Sequence, residues 1–360
     1  MSQVSGQGDA FDPSSLYPRL LHFGICYGDL ARAAAASGDW RTWSAQLSQM
    51  AENYEAMAIR AGNEGSHVSA AHFWRLASVY FHYSQIRLSV SAAKLELRRR
   101  CADAFFKFST FSSVSINKLD IDFADVALPG YWMGSADSHA PLVILVGGLD
   151  SAKEVELYSF AQTFLGRGLQ CYIFDGPGQG ELFGKAPLRL RFERVLSRVV
   201  DQLLYDHHPP ALGVFGVSLG GYLAARGAAA DSRIQSCVSL GGFYDAGILL
   251  RLPAFGKEAL AYSLKPNATF PEQTLDGLSV ADPCPHMTRP LLVVHGNRDH
   301  LVSDEQVDKF AAWGRGAAHI WRMEGAEHVC TDRFNECLPV MGDWMAAQLT
   351  SSMRHTGVAS

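Results

Sequence analysis

A serine stands among glycines at Gly216-Val217-Ser218-Leu219-Gly220-Gly221, between the apolar run Ala211–Phe215 and the helix-compatible stretch Tyr222–Ala230. A G-x-S-x-G turn between a strand and a helix lifts a serine hydroxyl above the sheet edge, and its glycines permit the strained backbone this requires. The hydroxyl becomes a useful nucleophile once a histidine takes its proton and a carboxylate orients that histidine. Asp299 follows the apolar run Leu291–His295, and His328 follows His319–Met323. Ser218, Asp299 and His328 therefore each lie just past the carboxyl end of an expected strand, the edge where open α/β sheets gather their sites. Developing negative charge needs amide donors. Leu219 supplies one at the start of the helix, and Leu149 in Gly147-Gly148-Leu149-Asp150-Ser151, beyond Leu142–Val146, is placed to supply the other. The chemistry so assembled is attack of a serine on a carbonyl.

The elements that must position these residues fall into two regions. Up to residue 115 the chain is rich in Ala, Leu, Trp, Tyr, Gln and Arg, with no proline between Pro18 and Pro129. Trp40, Trp43, Leu47, Met50 and Tyr54 predict an amphipathic helix over Trp40–Met57, and Phe73, Leu76, Tyr80 and Leu88 predict another over Ser66–Lys94, capped by Ser66 or Ser69. From residue 116 strands and helices alternate. Lys118–Phe123 and Val126–Trp132 read as a strand pair turning at Ala124-Asp125. Leu142–Val146, Gln170–Phe174, Leu212–Phe215, Cys237–Leu240, Leu291–His295 and His319–Met323 read as central strands, with helices such as Val155–Leu165 and Phe192–Leu204 between them. The expected fold class is α/β, a mostly parallel central sheet flanked by helices, with an N-terminal helical lid domain at 1–115 and a core domain at 116–360. The core is expected to bury its own apolar surface. A helical insertion at about 244–288, with helices near Asp245–Leu252 and Lys257–Ser263, breaks the alternation.

Composition narrows the partners. The 360 residues carry 31 Lys and Arg against 36 Asp and Glu, a net charge of −5, which disfavours nucleic acid. No apolar run approaches the roughly 20 residues of a membrane span, and the polar N-terminus does not read as a signal peptide. The cytoplasm is the expected compartment, where the sequon Asn267-Ala268-Thr269 carries no meaning. Seven scattered cysteines without C-x-x-C spacing predict neither a metal site nor a redox pair. No cofactor is expected, and the partners are a small-molecule substrate and a second copy in a homodimer. Asp175-Gly176-Pro177-Gly178-Gln179-Gly180-Glu181 lacks nucleotide-loop spacing and reads as a structural turn. His207-His208 reads as solvated loop, Arg98-Arg99-Arg100 as an exposed helix end, and Lys153-Glu154 as a helix start whose acid suits the macrodipole. Among the aromatic residues Phe73, Trp74, Tyr80, Phe81 and Tyr83, most serve helix packing, while Tyr80 and Tyr83 are candidates to grip substrate.

Gly147-Gly148-Leu149-Asp150-Ser151-Ala152-Lys153-Glu154, the 175–181 loop and the serine turn together resemble the α/β-hydrolases grouped with 2,6-dihydroxypseudooxynicotine hydrolase. The fermentation–respiration switch proteins and fungal polyketide-shortening hydrolases are similar. The resemblance spans nearly the whole chain. It implies cofactor-free hydrolysis by a Ser218, Asp299 and His328 triad beneath a helical lid, with either a C–C bond beside a ketone or an ester as the bond cut. It also makes Asp150, Tyr244 and Asp245 candidate substrate contacts. Transfer of the acyl group in an acyltransferase or cyclase, and a non-catalytic regulatory binding protein, are the alternative readings.

Overall fold

The computed structural model describes residues 11–134, 139–264, 275, 277–282 and 284–355. Five helices open the chain: α1 (Tyr17–His22), α2 (Tyr27–Ala35), α3 (Trp40–Asn63), α4 (His67–Gln85) and α5 (Ala92–Phe111). Asp39 and Thr42 form a reciprocal capping box at the start of α3, which buries Trp43, Leu47, Ala51 and Ala58 along one face. Ser66 occupies the N-cap position of α4 without a side-chain capping bond. The helix expected to run to Lys94 stops at Gln85. Ser91 caps a new helix by accepting the Lys94 amide, and the Lys94 ammonium donates to the carbonyls of Gln85 and Leu88 at 2.9 Å each. A cation thus satisfies carbonyls that the end of α4 leaves open. Arg98-Arg99-Arg100 is consequently mid-helix. Arg99 is exposed, but Arg100 lies over the Phe81 ring and Arg98 over Phe183, so the expected exposed helix end is corrected.

Ten strands follow among the described residues: β1 (Ile116–Lys118), β2 (Ile121–Phe123), β3 (Val126–Leu128), β4 (Gly130–Met133), β5 (Leu142–Val146), β6 (Gln170–Phe174), β7 (Leu212–Val217), β8 (Ser236–Leu240), β9 (Leu291–Gly296) and β10 (Ala318–Met323). Eight make one sheet in the order β1-β4-β6-β5-β7-β8-β9-β10, antiparallel at β1/β4 and β4/β6 and parallel from β6 onward. The expected strand pair is divided: β2 and β3 form a separate hairpin turning at Ala124, while β1 and β4 join the main sheet. Among the described residues the later α-helices are α6 (Tyr158–Leu165), α7 (Glu193–His207), α8 (Leu219–Ala230), α9 (Ala254–Leu264), α10 (Asp304–Gly314) and α11 (Phe334–His355). Between β8 and β9 the chain makes a 3-10 turn over Ala246–Arg251 and then α9. The rest of the anticipated insertion, 265–274 with 276 and 283, and the Asn267–Thr269 sequon within it, lie outside the described residues. No helix of the described residues is long and apolar enough to cross a membrane.

Side chains along β5 alternate between two apolar cores, Val143 and Leu145 on one face, Leu142, Ile144 and Val146 on the other. Helices α7 and α8 cover the second face. On the first, residues of the N-terminal helices merge with the sheet and α11. Phe23 meets Phe160 edge-on at 5.6 Å, and Phe105 meets Tyr131 and Tyr158 at 5.0 and 5.3 Å. The 116–360 region therefore buries one sheet face by itself and not the other, which residues from before 116 complete, so the sequence reading of a self-sufficient core holds only in part. Replacing the fully buried Phe105 by alanine should cost about 3 kcal/mol in urea unfolding, in a single transition. A biphasic curve in which residues 116–360 melt at the wild-type midpoint would contradict a shared core.

Candidate active site

Ser218 follows β7 at φ 54° and ψ −121°, a positive φ that a residue bearing a Cβ adopts only under constraint. The constraint is close packing. A Cβ on Gly216 would fall 2.0 Å from the Gly220 carbonyl oxygen, and one on Gly220 would fall 2.2 Å from that of Val146. Only glycines let β7 and α8 approach β5 this closely. The turn holds the Ser218 side chain with its Oγ 2.9 Å from His328 Nε2. His328 Nδ1 lies 2.6 Å from Asp299 Oδ2. The other Asp299 oxygen accepts the amides of Leu301 and Val302 at 2.9 Å each, so the carboxylate is fixed from both sides. Burial works to raise the Asp299 pKa, yet its bonds to His328 and to those amides hold it below the ordinary value. Asp304 sits in the first turn of α10 and pairs with His295 and Arg322 instead.

The loop after β5 runs against this serine. A Cβ on Gly148 would lie 3.3 Å from the Val217 carbonyl and 3.4 Å from Ser218 Cβ. Gln179 Nε2 donates to the carbonyls of Gly147, at 2.6 Å, and Gly148, at 3.3 Å. In a trans peptide the N–H points opposite to the C=O. Gln179 therefore turns the Leu149 amide away from itself. The Leu219 amide is the first of α8, among the donors a helix leaves without an internal partner. Gln179 lies in the 175–181 loop expected as a structural turn, and the sequence reading gave it no separate role.

A cavity of about 240 Å³ opens over Ser218 and His328. Leu149, Asp150, Ser151, Glu156 and Phe160 line it from the sheet side, Arg19, Phe23, Ile86, Lys94 and Arg98 from the N-terminal helices, and Leu252, Phe255 and Ala259 from the β8–β9 connection. Tyr80, Tyr83, Tyr244 and Asp245, expected as substrate contacts, are not among its lining residues. Tyr80 donates to Asp29 inside the helical layer. Tyr244 packs edge-on to Phe310 and Trp313, and Asp245 pairs with Lys309 at 2.6 Å. Tyr83 donates to Glu156 at 2.9 Å, behind the cavity wall. Glu156 also accepts from Arg19 at 2.7 Å and from the Ala152 amide at 3.0 Å, and its Oε1 lies 3.0 Å from His82 Nε2. Arg19 reaches on to Asp150 at 2.8 Å, so Asp150 lines the cavity already paired. None of Arg19, Lys94 or Glu156 was singled out from sequence. Their signal, a lone charge in an amphipathic helix or turn, is the same as that of a solvated residue.

Three further expectations meet their structure here. Lys153 and Glu154 begin a π-helical turn (Lys153–Leu157) and are buried. The Lys153 ammonium binds Glu154, Asp175 at 2.8 Å and Glu181 at 2.5 Å, tying the 175–181 loop to this turn. Burial pushes the Glu154 carboxyl up to about 7, against the pull of Lys153 and with the charges of Asp175 and Glu181. Those three carboxylates lie close enough together to ligate a metal ion, and Lys153 is the cation among them. His207 stacks on Trp132 at 3.9 Å, while His208 ends α7 in a left-handed conformation.

The strand order and the serine turn at the carboxyl edge of the sheet are those of the α/β-hydrolase fold. No protein-family model matches the sequence. Its relatives are hydrolases. A 20-hydroxy-prefusarin hydrolase of Gibberella moniliformis is 34% identical over 221 residues, 57% of this chain and 51% of the relative, so the chain spans about half that protein's length. A 2,6-dihydropseudooxynicotine hydrolase of Paenarthrobacter nicotinovorans is 29% identical over 304 residues, covering 83% of this chain and 82% of the relative. The crystal structure of the 2,6-dihydroxy-pseudo-oxynicotine hydrolase superposes with a TM-score of 0.84 at 26% identity, over 93% of this chain and 96% of that one. The resemblance drawn from the three motifs holds.

Burial works to raise the Glu156 pKa, yet His82, Arg19 and the Ala152 amide outweigh it and hold the carboxyl well below the ordinary glutamate value. The ionised form thus stabilises the fold, fully above the unfolded value of about 4.3 and decreasingly as pH falls from there toward the folded value. Glu156→Gln should cost on the order of 3 kcal/mol at pH 7. The difference from wild type should shrink on acidification below about pH 4, measured as urea midpoints. A difference independent of pH would rule out this role for the ionised carboxylate.

Proposed function

We propose that the chain is a serine hydrolase acting through an acyl-enzyme on a bulky small molecule, cutting a C–C bond beside a ketone or an ester. The unbroken chain of hydrogen bonds from Ser218 Oγ through His328 to Asp299 carries this reading. Ser218 Oγ attacks the carbonyl carbon as His328 Nε2 takes its proton. The amides of Leu149 and Leu219 receive the oxyanion. Collapse of the tetrahedral species breaks the bond to the leaving carbon or oxygen, whose electron pair takes the proton from His328. Water, deprotonated by His328, then releases the acid and restores Ser218. Asp299 holds the imidazole tautomer and balances its positive charge.

Residues 1–115 act as a lid in this scheme. Phe23, Ile86, Lys94 and Arg98 share a cavity with Ser218, and an enclosed apolar wall strengthens the oxyanion contacts by excluding water. The relatives' substrates, a prefusarin and a pseudooxynicotine by name, support a small molecule of cyclic or polyketide character.

A fluorophosphonate probe should label Ser218 in the wild type and not in Ser218→Ala; labelling of another serine with Ser218 silent would sink the assignment. Asp299→Asn should lower kcat by roughly 10³–10⁴ while Asp304→Asn changes it little. The reverse order would exchange their roles. Offered a β-diketone and an ester of matched size, the enzyme should release a carboxylic acid from at least one, read by mass spectrometry.

A further inference from the structure

Lys94 and Arg98 stand one turn apart on α5, and both line the cavity that holds Ser218 and His328. Neither forms an ion pair with a carboxylate among the described residues. Lys94, 4% exposed, donates only to the neutral carbonyls of Gln85 and Leu88. Arg98 donates to Gln85 Oε1 at 3.3 Å and to the Gly180 carbonyl at 3.2 Å, and its guanidinium carbon lies 4.2 Å from the centroid of Phe183. The Gln85 Nε2 beside it is buried with no partner among the described residues. The acids of the same cavity are already engaged, since Arg19 binds both Asp150 and Glu156. Burial pushes the Lys94 ammonium down to about 8, with the Arg98 charge adding to the shift, and lowers Arg98 as well.

Two neighbouring cations, Lys94 buried and Arg98 half-buried, repel one another, and each bears a desolvation cost that an anion would offset. Among the described residues no carboxylate is in ion-pair contact with either, and Asp150, whose charge acts on both at longer range, is itself bound by Arg19. A ligand can supply that contact, and a carboxylate is an oxygen anion whose charge-assisted bonds match a guanidinium and an ammonium placed side by side. Phe23, Ile86, Leu252, Phe255 and Phe334 make the rest of the wall apolar. We infer that Lys94 and Arg98 form a subsite for a carboxylate borne by the substrate on an apolar body, separate from the carbonyl that Ser218 attacks. The substrate class is then an acidic ketone or acidic ester rather than a neutral one. The inference rests on the proposed function for which group reacts, and on the cavity alone for which group is held.

Mono-4-nitrophenyl adipate and 4-nitrophenyl hexanoate differ only in a terminal carboxylate. Wild type should show kcat/KM higher for the adipate ester by about tenfold or more. Arg98→Gln and Lys94→Met should each bring that ratio toward one, and Arg98→Lys should keep most of it. The ratio is taken on a single preparation, so a partly folded variant still reports. Calorimetry on Ser218→Ala, comparing 6-amino-6-oxohexanoate with hexanamide, gives the same discrimination without turnover, and Arg98→Gln in that background should abolish it. Equal kcat/KM for the two esters with equal binding of the two amides would overturn the subsite. If neither ester turns over but the carboxylate still binds tighter in an Arg98-dependent way, the subsite stands and the serine chemistry falls.

Discussion

Everything at this site depends on one residue being held where its backbone is strained. The positive φ of Ser218 costs on the order of 1–3 kcal/mol, and a structure keeps such a conformation only where its surroundings leave no alternative. Here the surroundings are the two strands flanking β7. The carbonyls of Val146 and Gly147 at the end of β5 leave room for a hydrogen, and nothing more, at Gly220. On the other side the Ser218 amide donates to the Leu240 carbonyl of β8 at 2.8 Å. The direction of one hydroxyl is thus set by a three-strand register, and the sheet order puts the Leu149 loop beside it at the point where the strand order reverses.

The N-terminal helices depend on that sheet in turn. Their aromatic residues complete the apolar core on one face, and Glu156 fastens them at the cavity through Arg19, His82 and Tyr83. A carboxylate taken out of water is tolerable only when its oxygens are satisfied, and here they receive Arg19, Tyr83 and the Ala152 amide with His82 alongside. The same arrangement neutralises Asp150. It separates the charges of the cavity into an engaged set on the sheet side and the two helix cations on α5.

Ser218, Asp299, His328 and the central strands were legible in the sequence because each announces itself locally. A strand in the middle of a parallel sheet is apolar on both faces, as in Leu142–Val146 and Leu291–His295, and needs no partner to be recognised. A residue just past such a strand must lie at its carboxyl edge whatever the rest of the chain does. The glycines at 216 and 220 mark the turn because no other side chain fits there.

What tertiary structure alone decided is which face of each helix turns inward. Arg98 and Arg99 are adjacent in sequence, yet one lines the cavity and the other pairs with Glu96 and Asp103 in solvent. Tyr83 and Tyr80 carry the same hydroxyl and spend it on different buried acids, Glu156 and Asp29. Gln179 gains its place only because the 175–181 loop folds back beneath Gly147 and Gly148. Local patterns specify strands, turns and the residues that end them. The lining of a cavity between helices and sheet is a property of their docking, and docking is fixed by long-range packing that no single segment encodes.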